Sequence, residues 1–194
     1  MACIKDGKYC VDDYIKAEEI EITEACRPPV QHIKPKNILL ECGCHPEDAI
    51  FDVDICNEKR EQAFVLDKVI VDTKGLSRPL VKIEFSSLIV FEAKGKGLGE
   101  KEIEVELQFI LERVCNGHKE IVQMWKYENE IGVKTEKLEL EISTPFTVTF
   151  CEKTCPGCCE YKMLVIGKKF EGEFKELKVI KPDLSALAHG SCDD

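Results

Sequence analysis

The sequence predicts an all-β protein, an antiparallel β-sandwich of jelly-roll type with an extended N-terminal arm. Three observations carry this expectation. Apolar and polar residues alternate with period two over several long stretches. Short segments rich in Gly, Asn and Pro separate those stretches. No comparably long stretch has the 3.6-residue spacing of a surface helix.

The clearest alternation begins at "LVKIEFSSLIVF", where Val81, Ile83, Phe85, Ile89 and Phe91 fall on one face, interrupted by Ser87. In "IEVELQFILERVC", Ile103, Val105, Leu107, Phe109 and Leu111 alternate with Glu104, Glu106, Gln108, Ile110 and Glu112. "LELEISTPFTVTF" keeps Leu138, Leu140, Ile142, Phe146, Val148 and Phe150 in one phase. Successive side chains of a strand point to opposite faces, so each run has one buried and one wet side. Further strands are expected at "ILLEC", "AIFDVDI", "AFVLDKVIVDT", "EIVQMWKYE" and "EYKMLVIG", with turns at "DTKGLSRP", "KGKGLGEK" and "CNGHK". The Asn-Gly of the last suits a two-residue hairpin. Roughly eight strands with short turns suit a jelly roll.

The body is expected over residues 38–168, between an arm at 1–37 and a C-terminal extension at 169–194. The arm ends in "RPPVQHIKPKN", where Pro28, Pro29 and Pro35 favour an extended chain without ladder hydrogen bonds. In the extension, "PDLSALAHG" suggests one helical turn capped by Asp183.

Composition narrows the function. A net charge of −10 with no Lys/Arg cluster argues against nucleic acid and against anionic membranes as partners. No apolar run approaches the roughly 20 residues of a membrane span. The start, "MACIKDGKYCVDDYIK", lacks the apolar core of a secretory signal, which suggests synthesis in the cytosol. Yet 12 cysteines in 194 residues far exceed ordinary cytosolic usage.

The densest cysteine motif is "TFCEKTCPGCCEYK", with Cys151, Cys155, Cys158 and Cys159 around a Pro-Gly turn. Zinc is one possibility: Cys42, Cys44 and His45 of "CGCH" with Cys155 and Cys158 offer thiolate and imidazole. The spacing is unfavourable, because zinc knuckles present two C-x-x-C turns and this chain has one beside a Cys-x-Cys. A thioredoxin-like C-x-x-C opens a helix, whereas this one joins two strands. No G-x-S-x-G is present, and "GKGLG" lacks the Lys-Ser/Thr and helix of a phosphate loop. His32, His45, His118 and His189 fall in expected loops or extensions. Glu at alternate positions is the wet face of a strand, and Trp125 suits the core or the space between sheets. No catalytic constellation emerges, so an enzyme is not expected, nor is a cofactor or a small-molecule substrate.

Cross-linking remains. Vicinal Cys158 and Cys159 point to opposite faces of a strand, with Cys159 in phase with Tyr161, Met163 and Val165, so each needs a different partner. One inward bond and one outward thiol would couple a subunit's fold to a joint between subunits. Cys56 and Cys115 suit burial as small apolar groups. Cys3 and Cys10 are the first candidates for bonds between subunits, with acceptors among Cys155, Cys158 and Cys159, then Cys42 or Cys44. Cys26, Cys151 and Cys192 are further possible disulfide formers.

"ILLECG", "VKIEFSSLIVF", "LERVCNG" and "FTVTFCEKTCPGCCEY" together resemble a family of cysteine-rich proteins from clostridia and related spore-forming bacteria. The resemblance spans roughly residues 38–167 and implies no assigned activity. By looser analogy the chain is similar to spore-surface proteins of exosporium lattices and endospore appendages, where jelly-roll subunits are joined by N-terminal arms and disulfides. That analogy implies a structural protein whose partner is itself. It would be made in the cytosol without a signal peptide and oxidised at the spore surface or in an extracellular assembly. The alternative expectation is a zinc-stabilised binding module on the same fold.

Overall fold

The computed structural model describes residues 38–53, 61–96, 100–134 and 137–191. The expected arm therefore lies outside the described residues, as do Cys3, Cys10, Cys26, Cys56 and Cys192.

Nine strands form in chain order: β1 (Ile38–Cys42), β2 (Ala49–Ile50), β3 (Ala63–Asp72), β4 (Ser77–Lys96), β5 (Glu100–Cys115), β6 (His118–Lys134), β7 (Lys137–Lys153), β8 (Cys158–Glu171) and β9 (Phe174–Ser191). One sheet has the order β1-β9-β4-β7, with β2 also on β9, and the other has the order β3-β8-β5-β6. All pairings are antiparallel. The pairs β1–β9, β3–β8, β4–β7 and β5–β6 nest like the arms of one long hairpin. Rolling that hairpin adds the β4–β9 and β5–β8 pairings, giving two facing sheets with jelly-roll connectivity.

The apolar phases read in the sequence line the space between the sheets. Val81, Ile83, Phe85, Ile89 and Phe91 of β4 face Val105, Leu107, Phe109 and Leu111 of β5 across the core, and all are at most 1% exposed. Tyr161, Met163 and Val165 of β8 complete this layer. The β5–β6 hairpin turns at Asn116 and Gly117, with φ of 52° and 78°, the two left-handed residues that a type I′ turn requires.

The expected C-terminal extension is corrected. Residues 174–191 form β9, an inner strand paired with β4 on one side and with β1 and β2 on the other. The expected helical turn at "PDLSALAHG" is part of that strand. Pro182, Leu184, Ala186, Ala188 and Gly190 point inward and are buried, while the residues between them are not. Small residues are needed here because the space is narrow. A Cβ on Gly190 would stand 2.7 Å from the Leu76 Cβ and 2.9 Å from the Ser77 carbonyl oxygen. Pro182 follows Lys181, whose φ of 54° marks an irregularity in the pairing with β4, a position that tolerates a strand proline.

Candidate functional site

The register places the ends of the described chain with the cysteine-rich turn. Ile38 opposes His189, Ser77 opposes Ser191, and Leu80 opposes both His189 and Lys153. In the other sheet Asp72 opposes Cys158, and Cys115 opposes both His118 and Cys159. The start of β1, the end of β9, the Pro156-Gly157 turn and the Asn116-Gly117 hairpin thus occupy one end of the sandwich.

The "TCPGCC" turn joins β7 to β8 and rests on the β3–β4 turn. The Thr73 N–H donates to the Gly157 carbonyl at 2.7 Å, and the Gly157 N–H donates to the Thr73 hydroxyl at 3.1 Å. The Thr154 N–H donates to the Pro79 carbonyl at 3.0 Å. Thr73 is 2% exposed, so its paired hydroxyl satisfies what would otherwise be a costly buried polar group.

Cys159 points into the core and is bonded to Cys115, which stands directly opposite on β5 with a Cα–Cα distance of 4.4 Å. That is the spacing of a non-hydrogen-bonded antiparallel pair, about 4.5 Å, in which side chains come closest. This internal bond takes Cys159 out of the set of expected acceptors between subunits, and Cys115 is a bonding partner where simple burial was expected. Cys158 points the other way, is half-buried and carries a free thiol. Burial, then the charge of Asp72, pushes its pKa up. Cys155 is also disulfide-bonded, and no other described cysteine is its partner.

An ionic network lies beneath the disulfide. The Tyr161 hydroxyl donates to one Glu152 oxygen at 2.8 Å, and Arg113 donates to the other at 2.7 Å and to Glu120. Glu152 stands on β7 and the other three on β5, β6 and β8, so the network ties one sheet to the other. Burial opposes the charge on Arg113, but Glu152 and Glu120 more than offset this and raise its pKa. Burial and the Glu152 carboxylate hold the Tyr161 hydroxyl protonated well above the usual range.

The "CGCH" segment leaves β1 and crosses to the other sheet over Asp67. This carboxylate is 2% exposed and accepts the backbone N–H groups of His45 at 3.0 Å, Lys68 at 2.8 Å and Leu184 at 3.2 Å. Gly43 is required here, since a Cβ would fall 1.9 Å from an Asp67 oxygen. The Cys44 thiol donates to the Lys68 carbonyl at 3.4 Å and lies 3.2 Å from His45 Nδ1. Sequence reasoning missed Asp67, although it shares the phase of buried Val69 and Val71, because a lone carboxylate in an apolar run is ordinarily solvated.

The alternative zinc set does not come together. Cys155 is in a disulfide, and the ligand atoms of Cys42, Cys44, His45 and Cys158 do not converge. Among the described residues, the one carboxylate, thiol and imidazole group close enough for a shared ion is Glu104, Glu106 and Glu128. Lys169 pairs with Glu104, and Lys126 pairs with Glu106 and Glu128. Glu104 and Glu106 belong to the wet face read from the sequence, and Glu128 stands opposite Glu106 on β6.

Cys42 and Cys151 are exposed and free. They stand on β1 and β7, the two outer strands of one sheet. Between them, cross-strand rows run Ile38–His189–Leu80–Lys153 and Leu40–Leu187–Lys82–Cys151. Four large apolar side chains in these rows face solvent: Ile38 at 58%, Leu40 at 68%, Leu80 at 43% and Leu187 at 40% exposed.

Residues 36–189 match the model of a domain of unknown function, DUF4489, and the chain belongs to that family. The match runs through β9, beyond the limit of about 167 that the sequence resemblance suggested. No curated protein matches the chain. Solved structures of infectious bursal disease virus are among those similar to the chain. The Gx strain structure has a TM-score of 0.42 at 11% identity, covering 82% of this chain and 35% of that one. The T13 viral particle has 0.22 at 8%, covering 80% and 40%, and the Gt strain 0.21 at 9%, covering 79% and 42%. The chain therefore matches less than half the length of each.

Proposed function

We propose that this chain is a structural, non-enzymatic subunit that assembles with copies of itself and is then locked by disulfides between subunits. The observation that carries this is the placement of the thiols. The end of the sandwich from which residues 1–37 and 192–194 continue also holds free Cys158, bonded Cys155 and, on an adjoining strand, free Cys151. Cys155 is already held in a disulfide and, like Cys159, leaves the set of acceptors, so free Cys158 is the partner assigned to Cys3 or Cys10 of a neighbouring arm, with Cys42 and Cys44 as further acceptors. The exposed apolar rows between Cys42 and Cys151 support the same reading, since packing there would bring thiols into register before oxidation.

Synthesis in a reducing cytosol would keep these thiols available, and release at the spore surface would oxidise them. Each bond would add roughly 2–4 kcal/mol as a chain constraint. Its larger effect is kinetic, since a covalent assembly does not dissociate on dilution. Air-oxidised protein should run as a ladder on a non-reducing gel. Cys3→Ser/Cys10→Ser together should leave monomer as the main species.

A further inference from the structure

The two sides of the sandwich are closed differently. On the β1/β3 side the segment after β1 bridges the sheets. Gly43 and Phe51 donate backbone N–H groups to Leu184 and Leu177 of the β9 region, while Cys44 and Glu47 donate to Lys68 and Leu66 of β3. Leu66 and Val69 behind this bridge are fully buried.

On the β6/β7 side no described segment crosses. β6 and β7 are outer strands of 17 residues each. Their inward side chains are only half-buried: Trp125 and Tyr127 on β6, and Ile142, Phe146, Val148 and Phe150 on β7. Tyr127 meets Phe146 edge-on across the seam at 6.5 Å, and Phe146 stacks on Phe109 beneath at 4.0 Å. The seam thus has an aromatic floor. The residues that alternate with these inward side chains, on the outer faces of the same two strands, are acidic, with exposed Glu128 and Glu130 on β6 and Glu139 and Glu141 on β7, against Lys126, so both edge strands beside the seam carry negative charge.

The chain carries a segment of matching chemistry. "RPPVQHIKPKN", residues 27–37, contains Arg27, Lys34 and Lys36 and no acidic residue. Its prolines favour the polyproline II conformation, which repeats every 3 residues, so Val30 and Ile33 fall on one face. Such segments bind aromatic-lined grooves at low entropic cost and need no pairing to a strand edge. The acidic stretch before it, "AEEIEITEA", would be repelled by the negative charge of the same edge strands.

The segment directly precedes Ile38 on β1, the outer strand at the far side of the sheet from β7, three strand spacings or about 14 Å away. It therefore begins on the closed side of its own sandwich. We propose that the seam between β6 and β7 binds residues 27–36 of a second copy of this chain. The contact joins two unlike surfaces, so it propagates head to tail into a ring or a fibre. This inference rests on the self-assembly reading and names the non-covalent contact that precedes oxidation.

Trp125 is the chain's single tryptophan and stands in the seam, so its emission reports occupancy. The test uses full-length protein in reductant, with tryptophan emission and light scattering followed together over roughly three decades of concentration. Emission should shift to the blue as association rises. Val30→Ser/Ile33→Ser should weaken both changes by about tenfold or more. A synthetic peptide of residues 27–37 should shift the emission of dilute wild-type protein and suppress its association, and the peptide with the same two changes should do neither. Association without any change in emission would overturn the seam contact and leave self-assembly standing. A blue emission independent of concentration would mean that a copy fills its own seam, and would overturn the second-copy assignment. Neither association nor an emission change would overturn both.

Discussion

At the residue scale, Asp67 shows how a buried charge can be structural. Its carboxylate accepts three backbone N–H groups from three parts of the chain, and Gly43 leaves room for it. Asp67→Ala strands those donors in a dry site, with an expected cost of about 3 kcal/mol or more, measured by denaturant unfolding. Gly43→Ala should also destabilise, since its Cβ collides with a carboxylate that the surrounding bonds hold in place. Tyr161 gives a pH signature. Its folded-state pKa is raised, by burial first, so the folded chain holds a proton that the unfolded chain releases near pH 10. Its contribution should be complete below about pH 10 and fall as pH rises beyond it. In Tyr161→Phe that alkaline loss should be smaller, at the cost of one hydrogen bond to Glu152. Cys158, half-buried with a raised pKa, should be alkylated more slowly at neutral pH than exposed Cys42 and Cys151, as mass spectrometry of timed samples can read.

At the scale of elements, legibility followed side-chain size. β4, β5 and β7 carry large apolar residues on one face, so their alternation is plain in the sequence. β9 changes phase at Lys181 and from Pro182 onward alternates just as strictly, but with Ala186, Ala188 and Gly190 on its inner face, whose small side chains leave little hydrophobic contrast and favour or tolerate a helical turn. What decides its conformation is the pairing with β4, β1 and β2, which no local window contains. Deleting residues 169–194 should therefore leave a chain without cooperative unfolding, because it removes an inner strand. The Cys115–Cys159 bond was illegible for a related reason. The inward direction of Cys159 follows from its phase, but its partner is fixed by a register between strands 44 residues apart. Cys115→Ala/Cys159→Ala should lower stability by roughly 2–4 kcal/mol relative to oxidised protein, and any further loss in reductant should come from the remaining Cys155 bond.

At the scale of the molecule, the strand order makes a jelly roll with Cys151, Cys155 and Cys158 toward one end and, on one side, a seam that no segment crosses among the described residues. Alternation and turn chemistry were enough to expect that architecture. Where the thiols meet depended on the roll itself, which brings Ile38, Ser191 and the turn at Pro156-Gly157 to the same end. The proposed assembly uses that arrangement: a body closed on the side where the arm begins and, among the described residues, uncrossed on the side where a neighbour's arm would arrive. Its two stages are separable, since packing through the seam and the apolar rows requires no oxidant, and cross-linking follows it.

The most direct measurement is electrophoresis of air-oxidised full-length protein with and without reductant, with free thiols counted in each band. Self-assembly locked by disulfides should give a ladder or material held in the well that collapses to the 22.0 kDa subunit only with reductant. A single band at the subunit mass in both lanes would contradict it, and would mean that the cysteines stabilise one chain and do not join one chain to the next.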